Sequence, residues 1–110
     1  MSREAILSSL ISFDAPISKL TTELSALTWD SEPVVTLARH DIVAVLERFS
    51  SGEIDALTVE EWANLVECRE DIDFEPGHTD VIQAAIHDLA NPLLSGELRE
   101  LAPGILAGLR

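Results

Sequence analysis

The chain has 110 residues, and twenty Asp and Glu against seven Lys and Arg give it a formal net charge of −13. Such a field repels nucleic acid and anionic membrane surfaces and draws basic partners from a distance. An apolar fraction of 46% argues against a disordered chain, and the length sets the expectation of one domain over 1–110.

The charge is concentrated. Between Asp30 and Asp80 stand fourteen acids and three bases, Arg39, Arg48 and Arg69, whereas the flanking segments carry six acids and four bases. The single Cys68 cannot close an intrachain disulfide, so nothing demands an oxidising compartment. Met1-Ser2-Arg3-Glu4 lacks the charged head and long apolar stretch of a signal peptide, and no apolar run approaches the ~20 residues that span a bilayer. A cytoplasmic protein is the expectation. Tyr is absent, so the core is expected to be Leu, Ile, Val and Ala around Trp29, Trp62, Phe13, Phe49 and Phe74.

Helical periodicity dominates the pass along the chain. Ile6, Leu7, Leu10 and Ile11 predict a helix over about Arg3 to Phe13. Asp14 offers a cap for a second helix, with Pro16 near its first turn and Ile17, Leu20, Leu24 and Leu27 as its apolar stripe. Trp29 to Pro33 reads as a loop. Val34, Val35 and Leu37 are an apolar run with no evident partner strand, so extended packing or the lead-in to a helix is expected there. Ile42, Val45, Leu46 and Phe49 line a helix from about Arg39 to Ser50, and Gly52 suits the left-handed position that follows it.

Thr58-Val59-Glu60-Glu61 has the spacing of a capping box, and Leu57 with Trp62 has that of a hydrophobic staple, so a helix is expected from Thr58 to about Arg69 or Glu70. Glu75-Pro76-Gly77 reads as a turn. A helix then starts at His78 or Thr79, carries Val81, Ile82, Ala85, Ile86 and Leu89, and ends before Pro92. Leu94-Ser95-Gly96 reads as a turn, and Leu98, Leu101, Ile105, Leu106 and Leu109 mark a last helix that Pro103 and Gly104 are expected to kink or delay. The fold class that results is all-α, a compact antiparallel bundle of five to six short helices.

No motif for chemistry survives inspection, and the expectation is no enzyme, no metal and no cofactor. Asp71, Asp73 and Glu75 alternate as in a calcium loop, but Pro76 stands where the turn glycine belongs and Ile82 where the bidentate acid belongs, leaving a solvated acidic loop. Glu75 and His78 have a di-iron spacing that Pro76-Gly77 interrupts. His40, His78 and His87 lie on separate segments with no cysteine cluster for zinc. Cys68 is a lone cysteine on a helix among acids, so it reads as a small packing residue rather than a nucleophile. Trp62 is read as core rather than as an interface anchor.

The candidate site is a partner-binding stripe. Glu60, Asn64, Glu67 and Asp71 share one helix face at steps of four, three and four, and Asp73 and Glu75 extend it. Like charges at this spacing destabilise a helix by a few tenths of a kcal/mol per pair. No lysine is interspersed to relieve them, and from Glu53 to Glu75 nine acids face Arg69 as the one base. A surface that keeps such repulsion is matched to a basic protein.

Val45 to Ile54, followed by Thr58-Val59-Glu60-Glu61-Trp62, resembles the small bacterial immunity proteins of the colicin D type, in which a helix ends in a Phe-x-x-Gly-like turn and the next begins with a Ser/Thr cap and an aromatic. The resemblance covers about a third of the chain. It implies a helical bundle that blocks the basic active site of an RNase toxin, and it maps no individual inhibitory residue. The function expected is therefore a non-catalytic acidic binding module, an immunity or inhibitor protein whose partner is a toxin domain. The alternative is a structural or regulatory module acting as a homodimer or accessory subunit.

Overall fold

The computed structural model describes residues 3–27, 33–69, 71–91 and 97–109. Its elements are α1 (Arg3–Ser12), α2 (Ile17–Leu24), β1 (Val35–Leu37), α3 (Arg39–Ser50), α4 (Ala56–Glu67), β2 (Ile72–Phe74), α5 (Thr79–Ala90) and α6 (Leu98–Leu109). This is a mostly helical bundle, as the periodicity predicts. Trp29 and the Leu94-Ser95-Gly96 turn lie outside the described residues. Among the described residues no helix is long and apolar enough to cross a membrane.

The core forms where the apolar stripes meet. Ile6, Leu7 and Leu10 of α1, Leu20 of α2, Ile42 and Leu46 of α3 and Ile82 and Ile86 of α5 are all buried around Trp62. Helices α4 and α5 make the most extensive contact between elements, and α6 rests on α3 and α5. Helix α6 starts at Leu98, well before Pro103, and runs through it, so the proline does not delay the helix.

Trp62 is fully buried, and its indole N–H donates to the Leu10 carbonyl at 2.7 Å, tying α4 to the end of α1. The Phe13 ring stacks on it with centroids 6.3 Å apart. Phe13 also closes α1. Its φ is +49°, its amide donates to Leu10 and the Asp14 amide donates to Ser9, the bond pattern of a Schellman cap. Glycine is usual in that left-handed position. Here the strain is offset by burial of the ring and by Arg48, whose guanidinium lies 4.9 Å over the ring and donates to the Phe13 carbonyl at 2.7 Å. Gly52 closes α3 in the same way, with φ +84° and amide bonds from Gly52 to Phe49 and Glu53 to Arg48.

The apolar run before α3 is a strand. Val35, Thr36 and Leu37 pair in parallel with Ile72, Asp73 and Phe74. The partner strand escaped notice because its alternating acids read as a loop; in fact Ile72 points inward and is buried while Asp73 points out. Beyond the strand, Glu75-Pro76-Gly77-His78 is a turn closed by the His78 amide on the Glu75 carbonyl, with Gly77 at φ +83°.

Three local expectations need correction. Helix α4 begins a turn earlier than the capping box predicts: its N-cap is Asp55, whose Oδ1 accepts the Thr58 amide at 2.8 Å and the Thr58 hydroxyl at 2.6 Å. Asp55 wins because one carboxylate oxygen accepts both donors, so Thr58 is held inside the first turn and Leu57 is left 59% exposed rather than stapled. Helix α2 is preceded by Pro16 as N-cap, with no side-chain cap from Asp14. Cys68 is exposed at the end of α4 rather than packed.

The fourth stripe position, Asp71, is the largest departure. Helix α4 stops at Glu67, so Asp71 does not continue its face; it is fully buried at the head of β2. Arg69 donates to it through Nε at 3.0 Å and Nη2 at 2.6 Å, and Arg3 of α1 donates at 2.6 Å. The Asp71 carbonyl accepts the Val34 amide at 3.0 Å, which starts the sheet.

Burial alone pushes the Asp71 carboxyl up, but the hydrogen bonds from Arg69 and Arg3 and the Arg69 charge outweigh it and hold it below the usual carboxylate range. Hydrogen bonds from Thr58 lower Asp55, and those from Arg39 lower Glu75. A carboxyl depressed in the folded state contributes stability that is present above its unfolded pKa, about 4, and lost as pH falls through the folded value. Stability to urea is therefore expected to fall progressively below about pH 5. Asp71→Asn leaves buried Arg69 without its counter-charge and is expected to cost about 3 kcal/mol at pH 7 and to shallow the acid limb. An unchanged limb would remove Asp71 from this account.

The cap is tested separately. Asp55→Ala is expected to lower the thermal midpoint by a few degrees, and Thr58→Ala by less, because the Thr58 amide keeps its acceptor. The reverse order in a melting experiment would restore Thr58 as the cap.

Candidate acidic interface

The exposed side of α4 is set by its buried side. Val59, Trp62, Ala63 and Val66 face the core, which turns Leu57, Glu61, Asn64 and Glu67 to water and leaves Glu60 at the margin. Glu60, Asn64 and Glu67, three of the predicted site residues, thus do lie along one edge of one helix. Asp73 is exposed on β2, and its Oδ1 accepts the Phe74 amide at 2.9 Å. Glu75 is half-buried against Arg39, accepting from its Nε at 3.0 Å and its amide at 3.2 Å. Asp71 is inside the fold. The six-residue site therefore divides: an α4 strip and Asp73 remain outward, while Asp71 and Glu75 act as ties within the fold.

The disposition of the bases explains the surface field. Arg3 and Arg69 hold Asp71, Arg39 holds Glu75, and Arg48 holds Glu53 while reaching the Phe13 carbonyl. Four of the seven bases are thus engaged by three acids. Among the described residues no Lys or Arg lies within ion-pair distance of Glu60, Glu61 or Glu67. The Glu67 Oε2 meets the Nδ1 of His87 on α5 at 3.2 Å, a contact that becomes an ion pair when the imidazole is protonated.

Two features of this face were missed in the sequence. Glu61 is exposed on the same helix and was assigned instead to a capping box. Leu57 heads the strip and stands over an apolar hollow of about 540 Å³, where Phe49, Leu89, Leu98 and Leu101 meet Glu60, Asp88 and Glu97. The signal available for it was the mismatch between Leu57 and its supposed staple partner: a leucine in the first turn of a helix whose inward positions are already taken by Val59 and Trp62.

The site offers charge and a contact surface. Among the described residues no three His, Cys, Asp or Glu side chains gather closely enough to hold a metal ion. Cys68 is a free, exposed thiol. No family model, no curated protein and no solved structure matches this chain.

Proposed function

We propose that this chain is a non-catalytic acidic binding protein that captures a basic protein partner, and that its specific role is that of an immunity or inhibitor protein for a nuclease-type bacterial toxin. The reading rests on the outer strip of α4, where, among the described residues, Glu60, Glu61 and Glu67 form no ion pair with a Lys or Arg, while Arg3, Arg39, Arg48 and Arg69 are engaged elsewhere. Carboxylates carried on a helix supply the negative charge that phosphates bring to a cationic cleft. The net charge of −13 steers such a partner in. A nuclease cleft, built to hold a polyanion, is the complementary surface, and its occlusion requires no chemistry from the inhibitor.

The alternative is a structural or regulatory helical module that works as a homodimer or accessory subunit. The exposure of Leu57 speaks for an apolar contact of some kind. Because the hollow beneath it shares Glu60 with the acidic strip, the apolar and acidic surfaces are continuous, which favours one partner using both.

The test is kinetic. The triple variant Glu60→Gln, Glu61→Gln, Glu67→Gln is expected to associate with a cationic toxin RNase domain about tenfold more slowly than the parent and with a flatter salt dependence. Its thermal midpoint should hold or rise, because repulsion along the helix is relieved. Inhibition of RNA cleavage by the parent, weakened in the triple variant, supports the inhibitor role. A triple variant that binds as fast as the parent would dismiss the strip.

A further inference from the structure

The apolar hollow beside Leu57 is one end of a longer trough. A second hollow of about 650 Å³ lies between α3 and α6, lined by Ala102, Pro103 and Leu106, and it shares Phe49 and Arg99 with the first. Together they follow α6 from Leu98 to Ala107, roughly 13 Å at 1.5 Å per residue. Leu57, one of two large apolar side chains exposed among the described residues, stands at the head of this trough. Its rim is acidic: Glu60 of α4, Asp88 of α5 and Glu97 before α6 line it against Arg99.

We infer that this trough is the docking groove for an amphipathic helix of the basic partner, apolar side chains inserted along α6 and Lys or Arg side chains set over Glu60 and Glu97. The inference rests on the reading that the partner is basic. Length selects the occupant: two adjoining hollows that together follow some two and a half turns of α6 match residues recurring at one-face spacing on a helix. Charge selects its flanks. An acidic helix would set like charges against the rim, whereas a basic one completes it. The groove and the α4 strip share Glu60, so the helix enters where the field is already negative.

Fluorescence anisotropy with three synthetic probes tests this on the full chain. The first is a helical peptide with leucines at one-face spacing and flanking lysines, the second a scramble of the same composition, and the third the first with glutamates for lysines. The first is expected to bind about tenfold tighter than the scramble. Leu57→Ser, at an exposed position that leaves the core untouched, should weaken the first about fivefold and leave the scramble unchanged. Methyl NMR shifts should appear at Leu57, Leu98 and Leu101. If the scramble binds equally well, or Leu57→Ser changes nothing, the trough is overturned and the basic-partner reading stands. If the glutamate peptide binds as tightly as the lysine peptide, both fall. If the free protein sediments as a dimer that Leu57→Ser dissociates, a second copy covers the trough and the helix-docking inference is overturned.

Discussion

A single buried carboxylate fixes how the start of this chain meets its middle. Asp71 has no exposed surface, yet it receives a bidentate contact from Arg69 at the close of α4 and a third hydrogen bond from Arg3 at the start of α1. Its own carbonyl accepts the first amide leading into β1. One residue thus joins the beginning of the chain, the α4–β2 connection and the two-stranded sheet. An ionised carboxylate taken out of water is costly unless its lone pairs are satisfied and its charge is balanced. Two guanidiniums meet both conditions, and they hold their own positions because the carboxylate is there.

The same economy of bases shapes the outside. A chain with seven Lys and Arg has few cations to distribute, and the fold commits Arg3, Arg39, Arg48 and Arg69 to structural contacts. Arg48 shows how closely such a side chain can be used: it pairs with Glu53, covers the Phe13 ring and supports the carbonyl of a strained helix cap. None of these four arginines is therefore paired with Glu60, Glu61 or Glu67 of α4. The surface field is a product of which arginines the core requires, as well as of composition.

The helices were legible in the sequence because each carries an apolar stripe at helical spacing, and the bounds of α3 and α5 follow from Gly52 and from Pro92. The strands were not, because three residues cannot display a period. Val35–Leu37 and Ile72–Phe74 become strands only by finding each other across 37 positions of chain. The candidate site was legible as far as helix α4 extends. Extrapolating the same face to Asp71 assumed that the helix continued, whereas α4 ends at Glu67 and the chain turns Asp71 inward. Charge in a sequence does not say which side of the surface it will occupy. Arg69 gave a hint, since it shares the Trp62 face and a buried arginine requires an acid close by. The cap at Asp55 was missed for a smaller reason: Thr58 and Glu61 satisfy the capping-box pattern, but the competing acceptor three residues earlier takes the Thr58 hydroxyl itself.

In the proposed binding reaction the acidic strip and the apolar trough would act on different parts. Charge on α4 acts over a Debye length of about 8 Å at physiological salt, so it governs approach and orientation more than residence. It is weak as an adhesive, because exposed ion pairs contribute at most about 1 kcal/mol each. Apolar burial has the opposite character, since it begins at contact and excludes water, and therefore governs how slowly a complex separates. A partner using only the strip would bind fast and leave fast, while one using only the trough would be found slowly. Glu60 belongs to both surfaces, lining the trough under Leu57 while beginning the acidic edge that runs to Glu67. That shared position makes the two surfaces continuous, so that under the proposed function a partner drawn in by charge would already be oriented over the trough when contact begins.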